Sequence, residues 1–129
     1  MADFSAVQID ETEAIFGGAF HRVRASLGVS SFGMQVIQIP PGADFYPNHD
    51  HAESGQEEVY VVLDGSADFD IEGEHVSATR DTVIRVGPEA KRMVVPGPEG
   101  VRMLCLGAVP GQPYTPPAWS ELGGPMPSV

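Results

Sequence analysis

Lysine is nearly absent from this chain, cysteine occurs once, and no hydrophobic run is long. Lys91 is the only lysine and Cys105 the only cysteine among 129 residues. One thiol cannot build an intrachain disulfide framework, so a reducing compartment, the cytoplasm, is expected. No apolar stretch approaches the roughly 20 residues that a membrane-spanning helix needs. The opening MADFSAVQIDETEA places acids early and has no basic stretch, so it does not read as a signal peptide. Seven bases face eighteen acids, a formal net charge of −11. Nucleic-acid binding needs clustered Lys and Arg to neutralise phosphates, and this composition argues against it.

The charge is also unevenly spread. Eleven acids lie between Asp44 and Asp81, where Arg80 is the only base. Arg85, Lys91, Arg92 and Arg102 follow in the last third. Solvated turns and strand edges account for most such charges. Bases turned inward, Arg92 and Arg85 first among them, would instead meet an anionic ligand.

What the chain has in quantity is punctuation. Twelve prolines and fifteen glycines separate short apolar runs, the pattern of an all-β sandwich or barrel. Strands are expected near Ala6–Asp10, Phe20–Leu27, Met34–Ile39, Glu57–Leu63, Ala67–Ile71, His75–Thr79, Thr82–Val86, Arg92–Val95 and Val101–Val109. Asp64-Gly65 and Glu72-Gly73 read as hairpin turns, and Glu11–Phe16 as the one helical turn. In Ala67–Ile71 the apolar residues alternate with Asp68 and Asp70, so that strand has one wet face. Val59–Leu63 is apolar on both faces. The barrel interior covers one; a second copy of the chain or the N-terminal segment would cover the other, so a homodimer is expected. The length suits one domain over residues 1–129. Beyond Val109 the Pro- and Gly-rich segment 110–129 has no periodicity and is expected to lie over the surface, anchored by Tyr114 and Trp119.

The chemistry concentrates between Asn48 and Gly65, NHDHAESGQEEVYVVLDG. Residues i and i+2 of a strand point to one face, about 7 Å apart, so His49 and His51 could share a metal ion. Glu53, Glu57 and Glu58 are the carboxylates that could join them. His49, His51 and Glu58 would supply two nitrogens and one oxygen, a set suited to Fe(II), Mn, Ni or Zn with positions left open. The blander possibility is an exposed polar turn. Tyr60 and Val62 share the face of Glu58, so Tyr60 lines the cavity as a proton donor, a hydrogen-bonding wall for a ligand, or a packed core tyrosine. Glu57 points the opposite way. Cys105 reads as a buried small hydrophobe, Met34, Met93 and Met103 as core filling, and His21 and His75 as surface residues.

Placed together, these residues resemble the cupin family, single-domain jelly-roll β-barrels also called double-stranded β-helices. The family's first motif is a Gly, a His-x-His pair, a Glu and, after six residues, a Gly. Here Gly42, His49-Asp50-His51, Glu58 and Gly65 follow it. Six residues separate His51 from Glu58, an insertion of two or three for which Ser54-Gly55 is the natural place. A register without the insertion would use His51 and Glu53 instead. The second motif is matched in rhythm by Asp81–Pro96, with Arg92 where the family carries a histidine and Pro96 where it carries an asparagine. The resemblance covers about residues 34–108 and implies a barrel that holds a metal and a small molecule.

Arg92 divides the functional expectation. A guanidinium has no lone pair to offer a metal. With a metal on His49, His51 and Glu58, Arg92 would anchor a small anionic metabolite, and the protein would be an oxygenase-, isomerase- or decarboxylase-like enzyme with Tyr60 as its acid/base. With Arg92 paired to Glu58, it would be a non-catalytic binding barrel whose metal site is degenerate or empty.

Overall fold

The computed structural model describes residues 2–127. Its strands are β1 (Ala14–Ile15), β2 (Phe20–His21), β3 (Gly33–Ile39), β4 (Glu57–Ile71), β5 (Glu74–Thr79), β6 (Val83–Val86) and β7 (Arg92–Ala108), with one short helix, α1 (Val23–Leu27). They form a single antiparallel sheet in the order β1-β2-β3-β7-β4-β5, with β6 on the first half of β4.

Two expected strand pairs are in fact two long strands. Asp64-Gly65 is no hairpin, because the segments on either side of it do not pair with each other. Both pair with β7: Val59 opposite Leu106 and Phe69 opposite Val94. Register shifts at Val62/Asp64 and Gly65/Ala67 mark bulges, which let β4 bend against β7 and wrap the core. Gly65 has φ 72° and faces Gly100, which has φ 79°. A Cβ on Gly65 would sit 2.1 Å from the Gly100 carbonyl oxygen, so only glycine admits this contact. Glu72-Gly73 does make the expected turn. Ile71 pairs with Glu74 across it, and both central residues have positive φ, as a two-residue type I′ hairpin demands.

The N-terminal third departs further from expectation. Ala6–Asp10 is not a strand, and only Phe20–His21 of Phe20–Leu27 is extended. The rest is α1, which ends where Gly28 takes a left-handed conformation and its N–H bonds the Arg24 carbonyl at 2.8 Å. Glu11–Phe16 holds β1 between two 3-10 turns, and the consecutive left-handed Gly17 and Gly18 stop a helix there.

Inward residues of β3, β4 and β7 form the core, with Ile39, Tyr60, Val62, Phe69 and Met103 all but sealed from solvent. Tyr60 and Phe69 meet edge to face at 5.2 Å between ring centroids, a pairing that adds about 1 kcal/mol to their burial. Of the three methionines expected inside, only Met103 is fully buried; Met34 and Met93 are half-buried. His21 is a correction of another kind. It is buried, because β2 lies against β3 and its Nδ1 meets the Thr12 hydroxyl at 3.2 Å. The tail is tied down as far as it is described: Trp119 packs on Phe20 at 5.0 Å, Tyr114 lies over Gly33, and buried Arg22 donates to the Gly124 carbonyl. Residues 128–129 of the expected tail lie outside the described residues.

Replacing Gly65 by Ala should destabilise the protein by more than about 2 kcal/mol, because strain at positive φ adds to a backbone clash. Gly73→Ala, with open space around it, should cost only about 1 kcal/mol. Urea denaturation of the two variants tests this order, and equal losses would contradict the Gly65–Gly100 contact.

Candidate metal centre

The His-x-His pair lies outside the named strands, in the loop that precedes β4. One isolated bridge ties that loop to the barrel: the His49 N–H bonds the Arg92 carbonyl at 3.1 Å, and the Arg92 N–H bonds the His49 carbonyl at 2.8 Å. The His51 N–H bonds the Pro88 carbonyl at 2.8 Å. A tight turn then closes with the Gly55 N–H on the His51 carbonyl, Gly55 having φ 78°. This turn holds the extra residues between His51 and Glu58. It lets the chain enter β4 with Glu58, Tyr60 and Val62 facing inward.

His49, His51 and Glu58 come together. One ligand atom from each can be chosen so that all lie within 4.8 Å of one another. Glu53, the alternative ligand, is exposed on the turn, and Glu57 faces outward. The imidazoles of His49 and His51 meet edge to face at 5.1 Å. Nδ1 of His49 lies 2.9 Å from the Pro47 carbonyl oxygen, which makes that nitrogen the N–H and leaves Nε2 with a free lone pair. Burial holds His49 below the usual imidazole range, in the neutral form a ligand needs. Nε2 of His51 is buried without a hydrogen-bond partner, although it lies 3.1 Å from Glu58 Oε1. A buried nitrogen facing a carboxylate oxygen out of hydrogen-bond alignment is a place where a cation fits between them.

Glu58 is heavily engaged. Oε1 accepts from Arg92 Nη1 at 2.6 Å and from the Tyr60 hydroxyl at 2.8 Å. Oε2 accepts from Gln56 Nε2 at 3.0 Å and faces the Cys105 thiol at 3.5 Å. Burial alone would raise its pKa. His51, Tyr60 and Arg92 outweigh burial and bring it down to about 2. Since His51 is poorly aligned, we assign the larger share to the Arg92 guanidinium.

Three expected roles change on this geometry. Arg92 is fully sealed, with Nε on the Ala90 carbonyl and Nη2 on the Gly87 carbonyl, so it braces Glu58 instead of reaching a ligand. Arg85 is turned outward beside Val59 and pairs with Glu57 on the surface, away from the site. Tyr60 is sealed too, and burial pushes its hydroxyl pKa far up, which suits a fixed donor to Glu58 and not a proton shuttle. The residue that sequence reasoning missed is Tyr46. Its hydroxyl lies 3.0 Å from that of Tyr60, and its ring lies 5.5 Å from His49. Because Tyr60 donates to Glu58, Tyr46 donates to Tyr60. Nothing in the motif spacing marks Tyr46; its position before Pro47 in the approach to the His pair was the only signal. A cleft of about 700 Å³ lies elsewhere and is bordered by Phe16, Phe45, Asp64 and Glu99. Arg102, which also borders it, is already paired with Asp10.

The Glu58 pKa carries a stability prediction. Its folded value, about 2, is below the ordinary 4.5, so its contribution is complete above about 4.5 and is lost as pH falls through about 2. Arg92→Met should cost about 3–5 kcal/mol at pH 7, because it strands a buried carboxylate. The gap from the parent protein should narrow at pH 3. Urea denaturation at the two pH values checks this, and a gap independent of pH would mean the pair is not the source.

No family model and no curated protein matches the sequence. Solved structures do match. A cupin protein of Bacteroides fragilis aligns with a TM-score of 0.69 at 21% identity, covering 89% of this chain and 93% of that one. A Photorhabdus luminescens protein aligns with a TM-score of 0.64 at 16% identity, over 83% and 88% of the two chains. A Thermotoga maritima protein described as a predicted oxalate decarboxylase aligns with a TM-score of 0.54 at 20% identity, over 60% and 65%. At these identities the likeness is one of architecture, and it agrees with the two bent strands, β4 and β7, that wrap the core: the chain has the cupin fold.

Proposed function

We propose that this barrel binds a divalent transition metal through His49, His51 and Glu58, together with a small anionic metabolite. The observation that carries the reading is the buried, unpartnered Nε2 of His51 beside Glu58 Oε1, with His49 held by Pro47 so that its Nε2 is free. Fe, Mn, Ni or Zn all suit two imidazoles and a carboxylate, and the chemistry such an ion supplies is Lewis acidity or, for a redox metal, oxygen activation. His49 and His51 would hold the ion, Glu58 would complete the set, and Tyr60, Gln56 and Arg92 would keep Glu58 in place. Tyr46, half-buried beside His49, would offer a ligand a hydrogen-bonding contact and, through Tyr60, help to hold Glu58 in place. An oxygenase-, isomerase- or decarboxylase-type reaction on a small organic acid fits this arrangement, and the Thermotoga maritima neighbour described as a predicted oxalate decarboxylase is consistent with it.

A second reading has its own observation. The Arg92–Glu58 contact at 2.6 Å already gives the carboxylate a cation, as a metal-free binding barrel would need. Metal analysis of protein purified without an affinity tag separates the two. The first reading expects a transition metal near one per chain, lost in the His49→Ala/His51→Ala variant. It also expects the melting temperature to fall on chelation, since a bound ion stabilises the folded state by mass action. An empty site whose stability ignores chelators and added metal would favour the second.

We also propose that the chain is one domain, works in the cytoplasm and pairs with a second copy. The single thiol, Cys105, is buried and free, and no helix among the described residues is long and apolar enough to cross a membrane. Val59, Val61 and Leu63 are half-buried on the outer face of β4, and Val83 beside them is 62% exposed. α1 packs against β3, further along the sheet, which leaves this apolar strip for a partner. Sedimentation at low micromolar concentration should show a dimer that Val83→Glu dissociates; a 13.7 kDa species alone would refute the pairing.

A further inference from the structure

We infer that Arg92 makes metal binding conditional on an anion: the site takes up a divalent ion strongly only together with a small chelating dianion, such as a dicarboxylate. The inference rests on the metal reading above and adds the charge and denticity of the ligand.

Charge comes first. Glu58 is the one acid of the cluster, and the Arg92 guanidinium on Oε1 cancels it. The two other ligands are imidazoles. Asp50 and Glu53, in the same loop, do not belong to the cluster: Asp50 accepts from the Ala52 N–H and Glu53 is exposed. An incoming divalent ion therefore meets a set that is neutral overall, and it carries nearly its full double charge into a partly buried place. Coulomb repulsion from the nearby guanidinium acts against it and is only partly screened by solvent.

The second point is that Arg92 cannot withdraw. Its side chain is fully buried and also donates to the Ala90 and Gly87 carbonyls, while its backbone is bonded in both directions to His49. Nor can it neutralise a ligand directly, since a sealed side chain touches none. The third point is competition for lone pairs. Arg92, Tyr60, Gln56 and Cys105 already face the carboxylate's four acceptor positions. Glu58 can offer an ion at most a shared oxygen. What the protein withholds in charge and donors, the second ligand must bring: two negative charges to balance the ion, and two oxygens to fill positions the histidines leave open. The partly exposed side chains beside Glu58 are His51, 26% exposed, and half-buried His49 and Tyr46, so a ligand would meet these first. Arg92 is thus a positioning residue that acts through Glu58.

The two ligands must then help each other equally, because linkage is reciprocal. The test uses metal-stripped, untagged protein and calorimetric titration with Mn(II), with malonate as the chelating dianion and propionate as the single-carboxylate control. Affinities are referred to free metal after allowing for Mn(II)–malonate complexes in solution. Malonate should tighten Mn(II) by roughly 5- to 150-fold, the usual range of such coupling, Mn(II) should tighten malonate by the same factor, and propionate should do neither. Arg92→Met should bind Mn(II) at least about tenfold more tightly than the parent in the absence of malonate, with a smaller gain when malonate is added. Arg92→Lys, which keeps the charge, should behave like the parent. Should Arg92→Met fail to fold, the reciprocal titrations of the parent protein decide alone. Equal Mn(II) affinity with and without malonate would overturn the inference and leave the metal reading standing. No Mn(II) binding under either condition would overturn both.

Discussion

The buried contact between Arg92 and Glu58 organises this molecule more than any other. A carboxylate 7% exposed and a guanidinium wholly sealed could not stay charged apart. Together, and with hydrogen bonds from their neighbours, they can. Tyr60 and Gln56 complete the oxygens of Glu58, and two carbonyls of the loop 87–91 complete the nitrogens of Arg92. A buried pair of this kind is weak evidence of net stabilisation, since desolvation consumes most of the attraction. Its stronger consequence is positional. It fixes which oxygen of Glu58 faces His51, and it fastens the start of β7 to the start of β4.

The same residue also sets the histidines. Arg92 exchanges both backbone hydrogen bonds with His49, so the loop carrying the His pair is docked onto the residue whose side chain holds Glu58. Three candidate ligands on two separate segments therefore share one reference point. The turn at Gly55 can absorb an insertion without moving them, because the docking bonds lie on the other side of His51. This explains how a loop, usually the less rigid kind of scaffold, can hold a geometry that a strand would otherwise have to impose.

The sequence made some of this legible and hid the rest for physical reasons. Binary alternation in Ala67–Ile71 and the Glu72-Gly73 turn are local signals, and both are found as expected. Asp64-Gly65 carries the same local signal as Glu72-Gly73 but sits at a bulge, because its flanking segments both find β7, more than thirty positions away in one case and more than twenty in the other. A turn dipeptide cannot report which partner a strand will choose. His21, a surface residue by its sequence context, is buried for a similar reason: burial comes from Thr12 and β3, not from neighbours in its own short strand. At the site, the first-motif spacing singled out Glu58 among three acids. An Arg92–Glu58 pair is one of the two alternatives that the sequence leaves open, while the isolation of Arg92 from ligand depends on the carbonyls of Ala90 and Gly87 around it, which no motif encodes.

The hydroxyl chain shows what the site has retained for chemistry. Tyr46 donates to Tyr60, and Tyr60 donates to Glu58, so the direction of each bond is fixed by an acceptor that His51, Tyr60 and Arg92 keep ionised against the pull of burial. Burial also pushes the Tyr46 and Tyr60 hydroxyls well above their ordinary range. A chain of protonated hydroxyls pointing at a fixed anion is a rigid strut. Of its members only Tyr46 meets the His49 ring and keeps partial exposure, so any ligand that hydrogen-bonds within this barrel would touch the strut at that end. A polar contact made there would be transmitted to Glu58 through two hydrogen bonds. The arginine at one side of the carboxylate and the tyrosines at the other thus leave the two imidazoles as the only groups in the cluster with a nitrogen free to act.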